Sequence, residues 1–209
     1  MSNKAAFLDR DGTIIPEAGA RTADPDVEPL PEAIEAVKKL RAAGFLVVVI
    51  TNQSGVARGY FTEEELSAMH EALRARFAEA GAPIDAVYYC PHLPDAERPE
   101  YAMECDCRKP QPGLLLRAAR DHDIDLAGSY VVGDSERDIQ AGQAAGCRGT
   151  ALIRPGQQAP LSLDVGATPQ WEQMMEEMNE AFDSGADAIV PDADVAADWI
   201  IDMENVRNG

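Results

Sequence analysis

The chain has 209 residues with 45% hydrophobic content, enough to bury one sizeable core, and nothing before about residue 155 reads as an interdomain linker. Its 18 basic side chains against 37 acidic ones give a formal charge of −19, which repels polyanions at long range and argues against a nucleic-acid partner. Met1 to Lys4 leads directly into an apolar stretch too short to span a bilayer, so a cytoplasmic protein acting on a small molecule, with no membrane partner, is expected.

In chain order, Lys4 to Leu8 reads as a first strand that delivers Asp9 at its carboxyl end, with Asp11 on the loop beyond it and Gly12 for the turn. Pro31 at a helix start, Ile34, Val37 and Leu40 at helical spacing, and Gly44 just past the end predict an amphipathic helix. It returns the chain to a second strand, Phe45 to Ile50, and so completes a βαβ unit. Thr62 followed by three glutamates predicts a capping box, Leu66, Leu73 and Phe77 the inward stripe of that helix, and Gly81 its stop. Ala86 to Tyr89 is the third strand.

Pro112 and Gly113 precede a helix through Arg120, and Tyr130 to Gly133 is a strand ending at Asp134. Ser135 caps the next helix, Glu136 to Ala145, with Asp138 as its box partner, and Gly149 to Ile153 is a fifth strand. Such alternation predicts an α/β fold with a doubly wound parallel sheet. Residues 1–154 are expected to form this core and residues 155–209 a C-terminal extension packing on it. Within the extension, 155–168 reads as a loop, and Trp171, Met174, Met175, Met178 and Phe182 as the core stripe of a helix. Ala188 to Val190 reads as a short strand, and Asp198 to Ile201 as a segment docking on the sheet edge.

Two clusters carry chemistry. Cys90-Pro91-His92 and Cys105-Asp106-Cys107 place three thiols and an imidazole in two short knuckles, the ligand set of a closed, structural zinc site. Disulfides and unliganded thiols are the competing readings, the first disfavoured in a cytoplasmic chain. Cys147 reads as a small buried hydrophobe, and His70 and His122 as surface residues.

The second cluster is spread along the chain: Asp9 and Asp11, then Thr51-Asn52 after a strand, then Lys109, then Asp134 after a strand. Each has a plain alternative, a solvated turn for the aspartates and Thr51-Asn52, a surface lysine for Lys109. Together they suit phosphoryl transfer through an aspartyl-phosphate, with Mg²⁺ on Asp9, Asp134 and the backbone carbonyl of Asp11. Lys109, Thr51 and the amides near Asn52 supply the charge and hydrogen bonds that a phosphoryl group needs.

The order aspartate, hydroxyl, lysine, acid resembles the haloacid dehalogenase (HAD) phosphatase superfamily. The wider strings at 7–14, 51–59, 88–92, 105–113 and 132–139 resemble its histidinol-phosphatase-like branch and, within that, the D-glycero-D-manno-heptose 1,7-bisphosphate phosphatases. The likeness spans roughly residues 4–154. It implies a Rossmann-like HAD fold in which a zinc loop at 90–107 replaces a large cap domain. It implies Asp9 as nucleophile, Asp11 as general acid and then base, and Thr51 and Lys109 as phosphoryl holders. Asn52, Gln53, Ser54 and Arg108 would bind a phosphorylated sugar, and a monomeric enzyme of lipopolysaccharide-precursor carbohydrate metabolism would follow. Histidinol-phosphate phosphatase is the runner-up, a DNA 3′-phosphatase conflicts with the charge, and a zinc-organised binding module is the non-enzyme alternative.

Overall fold

A computed structural model of the protein describes residues 2–17, 24–155 and 184–208. Six parallel strands form one sheet: β1 (Lys4–Leu8), β2 (Phe45–Asn52), β3 (Ala86–Cys90), β4 (Tyr130–Gly133), β5 (Gly149–Ile153) and β6 (Ala188–Val190). Their spatial order is β3-β2-β1-β4-β5-β6, so the direction of winding reverses between β1 and β4. In open α/β sheets ligands bind beyond the carboxyl ends of the strands at such a reversal.

The helices that link the strands cover both faces. Period-2 alternation sends Ala6, Leu8, Val47, Val49 and Val132 to one face, where α1 (Pro31–Ala42), α2 (Glu63–Glu79) and α5 (Ala193–Asn208) meet them. Ala5, Phe7, Val48, Ile50 and Val131 point the other way, onto α3 (Gly113–His122) and α4 (Glu136–Ala145). Strands buried on both faces read as continuous apolar runs, as β1 and β2 do.

Local signals place the helix ends. Pro31 opens α1, and Gly44, with φ +85°, follows its end. At α2 the Thr62 hydroxyl accepts from the Glu65 amide at 3.1 Å, while the Glu65 carboxylate accepts from the Thr62 amide at 2.7 Å. Ser135 and Asp138 make the same reciprocal box at α4.

Four expectations are corrected or extended. The last segment is not a short piece on a sheet edge: α5 is a sixteen-residue helix lying on a face, packed on α1 through Ala193, Ala196, Ala197 and Ile200. Small alanines there allow the close approach that an edge-docking reading overlooks. β6 extends the sheet by pairing Ala188 with Ala151 and Val190 with Ile153. His70 is buried rather than on the surface, because α2 turns it toward Arg10 beneath β3. Cys147 is half-buried against the second apolar layer. The loop and helix expected between 156 and 183 lie outside the described residues. Among the described residues no helix is long and apolar enough to cross a membrane.

Candidate active site

β1 and β4 are hydrogen-bonded neighbours, so the residues leaving their carboxyl ends, Asp9 and Asp134, emerge side by side at the reversal. The Asp9 amide donates to the Val132 carbonyl at 2.9 Å, which continues the sheet one step and aims the carboxylate into the crevice. Gly12 then lets the loop fold over the site. Its φ is +71°, and a Cβ there would stand 2.1 Å from an Asp134 carboxylate oxygen. Gly133 is needed for a similar reason, since a Cβ on it would come within 2.4 Å of the Asp138 carboxyl carbon.

Lys109 enters from the other side. Its Nζ lies 2.8 Å from Asp9 Oδ1 and 2.5 Å from Asp138 Oδ1, and donates to the Ile50 carbonyl at 2.9 Å. The Asn52 side chain holds it there: its Nδ2 donates to the Lys109 carbonyl and its Oδ1 accepts from the Lys109 amide, both at 3.0 Å. Asn52, expected to meet substrate, thus spends its amide group on placing the lysine. Thr51 Oγ1 accepts from Gln53 Nε2 at 2.9 Å, and the same Nε2 donates to Asp11 Oδ2 at 2.9 Å.

Asp9, Asp11, Thr51, Asn52 and Gln53 line one cleft of about 270 Å³, with Ser54, Arg108, Lys109 and Asp134. Every phosphoryl-site residue expected from the sequence is therefore brought to one place. Sequence reasoning missed Arg10, Glu17, Ser135, Arg137 and Asp138, which also line it. By sequence Asp138 is only the box partner of the Ser135 cap. It keeps that role and also faces Lys109, a second use that its spacing from Asp134 could have signalled.

Burial pushes the Asp9 carboxyl up to about 6 against the pull of Lys109, with Asp138 adding to the rise. Burial, then Asp9 and Glu17, raise Asp134 to about 6. Burial works against the Lys109 charge, yet Asp9 and Asp138 together hold its pKa above the ordinary lysine value. Oxygens of Asp9, Asp134 and Asp138 lie within 4.8 Å of one another, and two of the three, on Asp9 and Asp138, share the Lys109 ammonium. A hard divalent cation fits such an oxygen-only donor set.

The thiol cluster also assembles. Cys90, His92, Cys105 and Cys107 offer ligand atoms within 4.8 Å of one another. Cys105 Sγ is 3.5 Å from Cys90 Sγ and 3.3 Å from Cys107 Sγ, and His92 Nδ1 is 3.4 Å from Cys107 Sγ. These separations are well beyond a disulfide bond, and all four cysteines are free. Four soft donors around one point match tetrahedral zinc. Arg108 Nη1 donates to the His92 carbonyl at 3.0 Å, so this knuckle also orients a cation at the cleft rim.

A D-glycero-beta-D-manno-heptose-1,7-bisphosphate 7-phosphatase from Yersinia pestis is 40% identical over 82% of this chain and 90% of its own length. The chain belongs to this family of HAD-like phosphatases. The relative of the same description from Escherichia coli K12 is 42% identical over 80% of this chain and 86% of its own. The family model described as HAD-hydrolase-like matches residues 106–179. Among solved structures, the D,D-heptose 1,7-bisphosphate phosphatase of B. bronchiseptica, complexed with magnesium and phosphate, is 34% identical. It covers 96% of this chain and 99% of its own, with a TM-score of 0.71. This HAD phosphatase therefore shares both sequence and fold with heptose bisphosphate phosphatases along most of its length.

Proposed function

We propose that the protein is a Mg²⁺-dependent phosphatase of a small sugar bisphosphate, D-glycero-D-manno-heptose 1,7-bisphosphate, releasing the 7-phosphate through an aspartyl-phosphate. The observation that carries the reading is the Asp9 carboxylate at the β1 end, 2.8 Å from Lys109 Nζ, with Asp134 and Asp138 beside it.

In the first step an Asp9 oxygen attacks phosphorus and the bond to the sugar oxygen breaks. The leaving oxygen takes the proton of Asp11. In the second step water attacks the phosphorus of the aspartyl-phosphate and gives a proton to Asp11, and the bond to Asp9 breaks. This restores the carboxylate and frees inorganic phosphate. Thr51 and Lys109 meet the phosphoryl oxygens. Asp9, Asp134 and the backbone carbonyl of Asp11 would hold Mg²⁺, with Asp138 beside them, and the ion would supply the positive charge that lets a dianion approach carboxylates.

Arg108 and Arg137 line the same cleft, Arg108 partly exposed and Arg137 exposed, and suit a second phosphate on the substrate. The zinc cluster orders the loop that carries Arg108 and Lys109. The acidic surface is hostile to nucleic acid, which leaves a small metabolite, held by the local cations of the cleft, as the substrate. The test is a phosphate-release screen with and without Mg²⁺ over heptose bisphosphate, sugar monophosphates and histidinol phosphate. Preference for the bisphosphate, and silence without Mg²⁺, is expected. Preference for histidinol phosphate would reassign the substrate, and no turnover of any ester would leave only binding.

A further inference from the structure

Arg10 stands between the two aspartates, yet it is almost wholly buried and its guanidinium is fully engaged. Nε donates to Asp11 Oδ2 at 3.2 Å and Nη2 to Asp11 Oδ1 at 2.9 Å, a two-pronged grip on one carboxylate. Nη1 points the opposite way, 3.1 Å from His70 Nε2 and 3.2 Å from Met69 Sδ, both on α2. The His70 ring is in turn packed against Tyr89 of β3, with centroids 5.6 Å apart. Gln53 Nε2 completes the surroundings of Asp11.

Among the described residues, the hydrogen-bond neighbours of the Asp11 carboxylate are donors: two guanidinium nitrogens and an amide. That arrangement suits the ionised form, which accepts a proton from water when the aspartyl-phosphate is hydrolysed. Burial, and then the Arg10 charge, push the His70 pKa down to about 3. A guanidinium nitrogen can only donate, so Nε2 of a neutral ring is the acceptor and Nδ1 carries the proton.

We propose that Arg10, held from behind by His70, is a positioning residue that aims the Asp11 carboxylate for proton transfer and above all for phosphoenzyme hydrolysis. The proposal rests on the reading of Asp11 as acid and base. A guanidinium anchored at only one end would let the carboxylate rotate on its short stem. A second anchor on a packed helix removes that freedom, and misplacement by about 1 Å can cost on the order of a hundredfold in rate.

The experiment is rapid-mixing kinetics with p-nitrophenyl phosphate and Mg²⁺, whose leaving group needs little protonation, on Arg10→Gln, Arg10→Lys, His70→Leu and His70→Gln. If hydrolysis depends on the clamp, Arg10→Gln and His70→Leu release a burst of about one nitrophenolate per chain. A steady state roughly tenfold or more below the parent follows, and acid quenching traps the phosphoprotein. His70→Gln, whose amide oxygen can still accept from Arg10, should turn over faster than His70→Leu. KM should change far less than kcat. Asp11→Asn is the reference: absence of a burst in it would remove Asp11 as the base. A burst in Asp11→Asn with none in folded His70→Leu, Arg10→Lys or Arg10→Gln would overturn the positioning role alone. Thermal melts establish which variants are folded, and His70→Leu carries the test if an Arg10 variant is not.

Discussion

Asp9 holds its place through backbone bonding at the end of β1 and through Lys109, so its charge can be removed without emptying the site. Asp9→Asn should keep the fold and lower turnover to less than about a hundredth of the parent, because an amide cannot form the acyl-phosphate. A folded variant retaining more than that in phosphate release would exclude the covalent route. Asp138 is the residue whose second role only the folded chain reveals. Asp138→Ala removes both the reciprocal half of the capping box on α4 and one partner of buried Lys109, so it should cost stability on the order of 1–2 kcal/mol and slow turnover together. Asp138→Asn, which still accepts from the Ser135 amide, should recover the stability and not the rate. Denaturant midpoints and kcat on the two variants separate the roles, and equal loss of both in Asp138→Asn would contradict them.

Among the elements, the knuckles at 90–92 and 105–107 carry the clearest test. Purified protein should contain about one zinc per chain by elemental analysis. Cys107→Ser should release it and loosen the loop, so that Arg108 and Lys109 lose their placement and activity falls while the parallel core stays folded. Added Mg²⁺ should not restore activity, since the oxygen site and the sulfur site take different ions. Full activity in a zinc-free Cys107→Ser protein would detach the loop from the site. The elements themselves were legible where a short-range rule governs them: the Thr62 and Ser135 boxes and Pro31 end helices through contacts three or four residues long. α5 was not. Its alanine-rich stripe is understood only against α1, far away in the chain.

For the whole molecule, the crowding of carboxylates predicts a link between pH, metal and stability. Asp9 and Asp134 ordinarily titrate near 3.8 and are raised to about 6 by burial and by their neighbouring carboxylates. The fold then binds protons more tightly than the open chain does, so their stabilising contribution is present below about pH 4 and is lost as pH rises through about 6. A divalent cation needs these groups ionised. The rise in melting temperature on adding Mg²⁺ should therefore be larger at about pH 7.5 than at about pH 5. An equal or larger rise at the lower pH would place the ion elsewhere. Glu204 of α5 makes the other long-range tie, pairing with Lys4 of β1 and accepting from the Tyr130 hydroxyl of β4 at 3.0 Å. Glu204→Ala, which removes the acceptor of that buried hydroxyl and the partner of Lys4, should lower stability by about 1–3 kcal/mol in denaturant unfolding with little effect on kcat. An unchanged midpoint would mean that the helix docks by its apolar stripe alone.

The sequence by itself determined the strands, most helix ends and the chemical character of the site. Each of these depends on residue type and on neighbours within a few positions: apolar runs, capping residues, aspartates at strand ends, thiols in pairs. Tertiary structure decided what those residues do to one another. Setting β1 beside β4 brings Asp9 to Asp134 and Asp138, and folding α2 beneath β3 takes His70 from an expected surface to the back of Arg10. Asn52 turned out to spend its side chain on the Lys109 backbone. The physical reason is range: hydrogen bonding within a turn is written in adjacent residues, whereas burial and ion pairing depend on which distant strands become neighbours.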